Sequence, residues 1–213
     1  MTTDWAAWHT PYDDPDSPLS ARLRAVRGEL AAALDRAPRG PLRLLSLCAG
    51  QGRDVLPVLR EHPRGPDVRA RLVEIDPVNA AAARADAAGA GGQVTVVQGD
   101  AGTTDACAAA VPADVLLLCG IFGNVEDDDV RTTLHAVPTL LAAGGTVLWT
   151  RHRRAPDLTP ALRRWQAEAG VEEVAFVTEP GDGWAVGAGV LRAPAQPLVP
   201  GRRLFTFTRR PPT

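Results

Sequence analysis

The hydrophobic positions of this chain change their spacing along its length, and the change predicts where helices and strands lie. Near the N-terminus, leucine and valine recur about every 3.6 residues between arginines, which is typical of an amphipathic helix. Ser17 can cap this helix, Pro18 suits its first turn, and the prolines within residues 38–41 end it. The predicted buried face consists of Leu19, Leu23, Val26, Leu30 and Leu34.

Beyond residue 41, short apolar runs alternate with helix-length segments. Such alternation is typical of a parallel sheet with helices on both faces. The strands predicted from the apolar runs are 42–47, 68–75, 94–98, 114–119, 146–150, 173–178, 185–191 and 203–208. The helices predicted between them are about 54–61, 79–88, 127–141 and 158–169.

No helix-length segment separates the last two predicted strands, so we expect 185–191 and 203–208 to pair in an antiparallel manner. The predicted fold class is α/β: a doubly wound, Rossmann-like, seven-stranded sheet, mostly parallel, with an antiparallel C-terminal pair. Residues 1–37, an aromatic segment and the cap helix, are predicted as an N-terminal unit, and residues 38–213 as the main domain.

The composition excludes several kinds of chemistry. All 23 basic residues are arginine, so the chain has no lysine for a Schiff base or a P-loop. The missing lysine, with abundant Ala, Gly and Pro, is typical of a high-GC genome, as in actinobacteria. The three cysteines are scattered and form no Cys-x-x-Cys pair, so we predict neither a disulfide framework nor a metal site.

Charge and the N-terminal sequence bear on partners and location. With a net charge of −2, nothing marks the chain as a binder of nucleic acid or of an anionic membrane. The first residues show no signal-peptide pattern, and the longest apolar runs fall far short of the ~20 residues that a membrane helix needs. We expect a cytoplasmic protein that binds neither nucleic acid nor membrane. Its oligomeric state is open, with a homodimer as one option.

The turn after the first predicted strand gives the strongest chemical signal. Its glycines, Gly50 and Gly52, allow a tight turn and let a ligand approach the backbone closely. Backbone N–H groups at this edge of a sheet suit a nucleotide-like ligand, although many nucleotide-binding folds share such a turn. The predicted cofactor residues here are Cys48, Ala49, Gly50, Gly52 and Asp54.

Carboxylates follow the second and third predicted strands at the same edge. Asp76 lies 24 positions after Gly52 and can accept hydrogen bonds from both hydroxyls of a ribose. Asp100 can accept from the exocyclic amine of an adenine, with Ala101 packed near the base. Glu74, in the same strand end as Asp76, is included among the predicted cofactor residues.

Over residues 42–152, the sequence resembles the class I S-adenosylmethionine-dependent methyltransferases. The resemblance is carried by the segments LSLCAGQGRD (45–54), LVEID (72–76), VQGDA (97–101), ADVLLL (113–118) and LLAAGGTVL (140–148). It implies a Rossmann-like domain over residues 38–213 with an added antiparallel pair, and S-adenosylmethionine as cofactor. The ribose would then lie on Asp76, the adenine amine on Asp100, and the methionine part beside Cys119 and Gly120.

The sequence departs from that family at two positions near the methionine part of the ligand. Cys48 stands where the family has its first glycine, and Ser46 stands where it has an acidic residue. The contact to the amino group of the ligand is therefore open between Asp54, Arg53 and a water molecule.

Catalytic residues are harder to name, because methyl transfer from a sulfonium depends mainly on positioning the nucleophile. His9 and Tyr12 belong to the aromatic N-terminal segment, which could close the cleft. His152 follows the fifth strand and titrates near neutral pH, which suits a general base. The alternatives are structural: a tail packed outside the site, and a solvated charge run.

The function predicted from these features is methyl transfer to a small molecule, in specialised metabolism, by in-line displacement at the sulfonium. Three alternatives are open: an RNA methyltransferase, an NAD(P)-dependent oxidoreductase, and a non-catalytic domain that binds S-adenosylmethionine. The acidic balance and small size weigh against RNA, and the absence of a Tyr-x-x-x-Lys pair weighs against hydride transfer.

Overall fold

The computed structural model describes residues 12–181 and 183–208. Its helices and strands are α1 (Pro18–Arg36), β1 (Leu42–Leu47), α2 (Leu56–Glu61), β2 (Val68–Glu74), α3 (Pro77–Ala87), β3 (Gln93–Gln98), β4 (Ala113–Leu118), α4 (Asp127–Leu140), β5 (Leu141–His152), α5 (Thr159–Glu168), β6 (Val171–Thr178) and β7 (Trp184–Leu191). Every predicted helix appears within a few residues of its predicted bounds.

The strands form a seven-stranded sheet in the order β3-β2-β1-β4-β5-β7-β6. The first five strands pair in parallel, and β7 runs antiparallel to both of its neighbours, β5 and β6. The predicted fold class is therefore confirmed. The chain runs outward from β1 through β2 to β3, and then returns to place β4 on the other side of β1. The strand order therefore reverses between β1 and β4. In such sheets, ligands bind in the crevice at the carboxyl ends of these two strands.

The predicted pairing of residues 185–191 with residues 203–208 is wrong. Both edges of β7 are already occupied, one by β5 and the other by β6, so no edge is left for a later strand. Residues 199–208, which we call the C-terminal strap, instead cross the loops that follow β3 and β4. The strap makes only isolated bridges, from Arg203 to Thr103 and from Phe207 to Val125.

Helix α1 forms as predicted and packs onto the sheet. The hydroxyl of Ser17 accepts a hydrogen bond from the backbone N–H of Ser20 at 3.1 Å, which caps the helix. Val26, Leu30 and Leu34 of α1 are almost fully buried. This burial attaches α1 to the face of the sheet that also holds α2, and it fixes the N-terminal half of α1 beside the carboxyl edge of β1.

Side chains of each strand alternate between two cores, one on each face of the sheet. In β1, for example, Leu44 packs with α1 and α2, whereas Leu45 packs with α4 and α5. Leu204 and Phe205 of the strap join the second core. Of the helices in the described residues, none combines the length and the apolar character needed to cross a membrane.

Candidate functional site

A cleft opens at the carboxyl edge of the sheet, beneath the N-terminal half of α1. It encloses about 1090 Å³, counting the open solvent at its mouth. Its walls come from α1, from the turn after β1, from the ends of β2, β4 and β5, and from the strap through Phe207. The sheet thus brings distant parts of the chain together at the edge that the sequence predicted.

The floor of the cleft is the turn that follows β1. Gly50 and Gly52 have φ angles of +55° and +72°, in the left-handed region that favours glycine. Cys48 also adopts this conformation, with φ +54°, at a cost of roughly 1–2 kcal/mol for a residue with a Cβ. A Cβ on Gly52 would lie 2.8 Å from Leu56 Cδ1, so Gly52 serves the packing of the turn and lies behind the cleft wall.

Glu74 is the carboxylate that links the ends of β1 and β2. Its Oε2 accepts a hydrogen bond from the backbone N–H of Gly50 at 2.7 Å, and its Oε1 accepts from that of Asp76 at 2.8 Å. Burial raises the pKa of Glu74, and these backbone donors oppose the rise. Each carboxylate oxygen keeps a lone pair beyond these bonds, so Glu74 can still accept from a ligand in the cleft.

The opposite wall carries a second cluster of polar groups, formed by Tyr12, Arg22, Asp54 and Cys119. The guanidinium of Arg22 donates a hydrogen bond of 2.7 Å to the phenol oxygen of Tyr12. Burial raises the pKa of Tyr12, so the phenol keeps its proton at neutral pH. Burial likewise raises the pKa of the Cys119 thiol well above its usual value, so this sulfur is not a thiolate.

Asp54 is the unusual member of that cluster. Burial raises its pKa to about 6, although backbone N–H groups of Asp54 and Val55 and the nearby charges of Arg27 and Arg22 oppose the rise. Its Oδ1 is shielded from water and has no hydrogen-bond partner in the described part of the chain. A buried acceptor of this kind is a mark of a functional site.

With this geometry in place, comparisons with known proteins identify the family. A model of the family described as "Putative methyltransferase" matches residues 21–168, more than two thirds of the chain. The chain belongs to this methyltransferase family. No curated protein matches the sequence in a direct comparison.

Solved structures show how widely the fold of this methyltransferase is shared. The magnesium protoporphyrin IX methyltransferase of Synechocystis PCC 6803, solved with bound S-adenosylmethionine, is similar with a TM-score of 0.66 and 12% identity, over 89% of this chain and 91% of that one. An O-methyltransferase family protein from Burkholderia thailandensis has a TM-score of 0.61 and 18% identity, over 83% and 57%. An RNA methyltransferase from Salinibacter ruber has a TM-score of 0.54 and 21% identity, over 81% and 92%.

Most of the predicted cofactor residues of the methyltransferase line the cleft. Those that do are Cys48, Ala49, Gly50, Asp54, Glu74, Cys119 and Gly120, together with Tyr12 from the predicted catalytic set. Those that do not are Gly52, Asp76, Asp100, Ala101 and His152. His9 lies outside the described residues.

Asp76 has a structural contact that was not predicted from the sequence. Its Oδ1 accepts hydrogen bonds from the backbone N–H groups of Val78 and Asn79, at 3.0 and 2.9 Å, so it caps α3. The strand ends two residues earlier, at Glu74, and the cleft therefore receives the carboxylate of Glu74. The pair Asp76-Pro77 at a helix start is itself a capping signal, which could have separated the two roles.

Asp100 is also engaged elsewhere. Its Oδ1 accepts from the backbone N–H of Gly102 at 2.8 Å, and its Oδ2 forms an ion pair of 2.6 Å with Arg203 of the strap. Ala101, its neighbour, is buried in the core. In the structure Asp100 therefore anchors the strap, and its contact to adenine stays a prediction.

His152 ends β5 beside the loop that follows β4. Its Cδ2 lies 3.5 Å from where a Cβ on Gly123 would be, and the side chain does not line the cleft. The nearest cleft residue of the same strand is Thr150, whose hydroxyl accepts a hydrogen bond from the backbone N–H of Gly120 at 2.8 Å. A role for His152 as general base is not supported by this placement.

Several cleft residues escaped prediction from sequence. Arg22, Leu23 and Val26 of α1 line the cleft, as do Ile75 and Phe207. The helical pattern of α1 showed an apolar face but not which part of that face would extend beyond the sheet. Ile75 is 57% exposed and lies just beyond β2, whereas the sequence pattern placed it inside the strand.

Proposed function

We propose that this member of the methyltransferase family uses S-adenosylmethionine to methylate a small-molecule acceptor. The observation that carries the proposal is the meeting of the glycine turn and the Glu74 carboxylate at the base of one cleft. A backbone free of bulky side chains lets the ligand lie close, and a carboxylate fixed by two backbone N–H groups suits a pair of ribose hydroxyls.

The other cleft residues fit the remaining parts of this cofactor. Ile75 presents an exposed apolar side chain at the Glu74 side, which suits the flat face of an adenine ring. Cys48, Gly50, Cys119 and Gly120 leave room at the centre, where the sulfonium would be held. The solved structures that share the fold and hold S-adenosylmethionine or S-adenosylhomocysteine support the same assignment.

The cofactor supplies an electrophilic methyl group on a positively charged sulfur. The protein's own part is to hold the acceptor in line with that group and to keep water away, which lowers the entropic barrier. Phe207, Leu23 and Val26 give the cleft part of its apolar lining. Tyr12 stays protonated at neutral pH, so it acts as a hydrogen-bond donor to a bound molecule and not as a base.

A small-molecule acceptor is favoured by the shape and charge of the protein. The cleft is bounded on one side by α1 and on another by the strap, and the net charge of −2 gives no attraction for a polyanion. The fold alone does not exclude RNA, because an RNA methyltransferase is among the structures that share it.

A thermal-shift panel tests the cofactor, with S-adenosylmethionine, S-adenosylhomocysteine, NAD and NADP as ligands. At a ligand concentration 100-fold above Kd, the two adenosyl ligands are expected to add about 2.7 kcal/mol to the free energy of unfolding, and the nicotinamide ligands nothing. Glu74→Gln should weaken the adenosyl ligands, whereas Asp128→Asn, at an exposed carboxylate of α4, serves as the control and should not. Stabilisation by NAD or NADP alone would refute the proposal.

The acceptor class needs a separate assay with a radiolabelled methyl group. Pools of small metabolites and purified RNA are incubated with the enzyme in parallel, and label is counted in each fraction. We expect label in the small-molecule fraction only. Label in RNA would replace the proposed acceptor by the RNA alternative.

A further inference from the structure

The wall of the cleft opposite Glu74 holds one negative and one positive side chain that come from different elements. Asp54 follows the turn after β1, and Arg22 lies on α1, and both line the cleft. The charge of Arg22 is close enough to Asp54 to lower the pKa of its carboxyl group. Tyr12 and Cys119 stand within the electrostatic reach of the same two groups.

The carboxylate of Asp54 is not fully satisfied. The backbone N–H groups of Asp54 and Val55 are close enough to oppose the rise in its pKa that burial causes. Its Oδ1 nevertheless has no hydrogen-bond partner among the described residues, although water does not reach it. Asp54 as a whole lines the cleft, so a cationic group of a ligand can approach the carboxylate from the cleft side and form a charge-assisted hydrogen bond.

The distance between the two charges is set by α1. Arg27 of this helix donates two hydrogen bonds, of 2.8 and 2.6 Å, to the backbone carbonyl of Arg53, the residue before Asp54. Arg22, one turn earlier on α1, is oriented by its 2.7 Å hydrogen bond to Tyr12. Helix α1 therefore fixes both the loop that carries Asp54 and the guanidinium that faces it.

We propose that Asp54 and Arg22 together hold the amino-acid head group of the cofactor, with Asp54 on its ammonium and Arg22 on its carboxylate. This inference rests on the proposed function, because it assigns the methionine end of the same ligand. It also makes α1 part of the binding site.

The head-group contact is expected to depend on pH. Burial raises the pKa of Asp54 to about 6, so its charge is lost as the pH falls through that value. The groups that face it from the neighbouring elements are Arg22 and Arg27 on α1, the phenol of Tyr12, and the thiol of Cys119 after β4. Burial raises the pKa of the Tyr12 phenol and of the Cys119 thiol, so both stay protonated between pH 5 and 7.5.

The experiment compares two ligands by isothermal titration calorimetry. S-adenosylhomocysteine carries the amino-acid head group, and 5′-methylthioadenosine shares the adenosine and sulfur but lacks it. For Asp54→Asn at pH 7.5, we expect the affinity for S-adenosylhomocysteine to fall about 10- to 100-fold and the affinity for 5′-methylthioadenosine to change less than about twofold. Asp128→Asn, at an exposed carboxylate of α4, is the matched control and should change neither.

Two further readouts keep the inference open to refutation if Asp54→Asn folds poorly. Arg22→Gln should show the same selective loss for S-adenosylhomocysteine. In the wild type, that ligand should weaken more than 5′-methylthioadenosine does as the pH is lowered from 7.5 to 5, because the ribose contact of Glu74 is common to both ligands.

The possible results distinguish the head-group assignment from the cofactor proposal. Equal effects of Asp54→Asn on both ligands, or none on either, would overturn the head-group assignment while leaving the cofactor proposal intact. A wild-type protein that binds neither ligand would overturn both.

Discussion

Replacing Asp54 by asparagine is expected to stabilise the ligand-free protein at neutral pH, although it removes a ligand contact. In the folded protein the pKa of Asp54 is raised from 3.8 to about 6, mainly because the carboxyl group is buried. The folded state therefore binds more protons than the unfolded state between these two values. The free energy of unfolding then falls as the pH rises through this window, and the full cost is present above about pH 6.

The size of the effect follows from the shift. At 1.36 kcal/mol for each pH unit, a change from 3.8 to about 6 corresponds to about 3 kcal/mol. The side chain borders the open cleft, where solvent screens part of this cost, so we expect about 1–3 kcal/mol. Asparagine is neutral at every pH, so the variant should gain this amount over the wild type above pH 6 and almost nothing near pH 4.

Urea denaturation of the ligand-free protein at pH 4, 5, 6, 7 and 8 measures this difference directly. The wild type, Asp54→Asn and Asp128→Asn are compared, because the effects of other titrating groups cancel in the difference between variants. The exposed control should show no pH-dependent gain. A variant that is less stable than the wild type at pH 7.5, or a difference that does not vary with pH, would refute the reasoning.

Three further predictions concern the frame of the site. Asp76→Ala should lower the free energy of unfolding by about 0.5–2 kcal/mol in urea denaturation, because α3 loses its cap, and should change S-adenosylhomocysteine affinity less than about threefold; a large loss of affinity would restore Asp76 to the ribose. Leu30→Ala, at a fully buried position of α1, should cost about 2–5 kcal/mol in the same assay; a loss under 1 kcal/mol would mean that α1 is not packed as described. Gly102→Ala would place a Cβ 2.5 Å from the carbonyl oxygen of Phe205, so the strap must move at a cost of about 1–3 kcal/mol, and unchanged stability would contradict that contact.

Local patterns were sufficient to predict the sheet. Parallel strands buried on both faces are almost continuous apolar runs, and the helices between them have clear lengths, so the alternation fixes the fold class. The turn after β1 was also predicted, because glycines directly after a strand indicate a tight turn. Gly50 and Gly52 indeed adopt left-handed conformations there.

The roles of the carboxylates were harder to predict. The sequence shows that an acidic residue follows a strand, but it does not show which way the side chain points. Glu74 and Asp76 are two residues apart. The exact end of β2 and the exact start of α3 determine which of the two carboxylates lines the cleft and which one caps the helix. The fate of Asp100 depends on Arg203, which lies 103 residues later in the chain. No local sequence pattern indicates an ion pair between residues so far apart in the chain.

The strap shows the same limit at the level of a whole segment. Residues 203–208 have the composition of a strand, but β5 and β6 already occupy both edges of β7. The segment is therefore used elsewhere, across the loops after β3 and β4, where it contributes Phe207 to the cleft. Strand propensity is a property of a short segment, whereas the whole fold determines whether a strand edge is free to pair with it.

A crystal structure of the protein with S-adenosylhomocysteine is the most direct test of the central claim, that the cleft between α1 and the turn after β1 holds this cofactor. We predict the ribose hydroxyls within hydrogen-bond distance of the Glu74 carboxylate and the sulfur between the turn after β1 and Cys119–Gly120. A ligand whose ribose lies on Asp76 or Asp100, or one bound outside this cleft, would contradict the account.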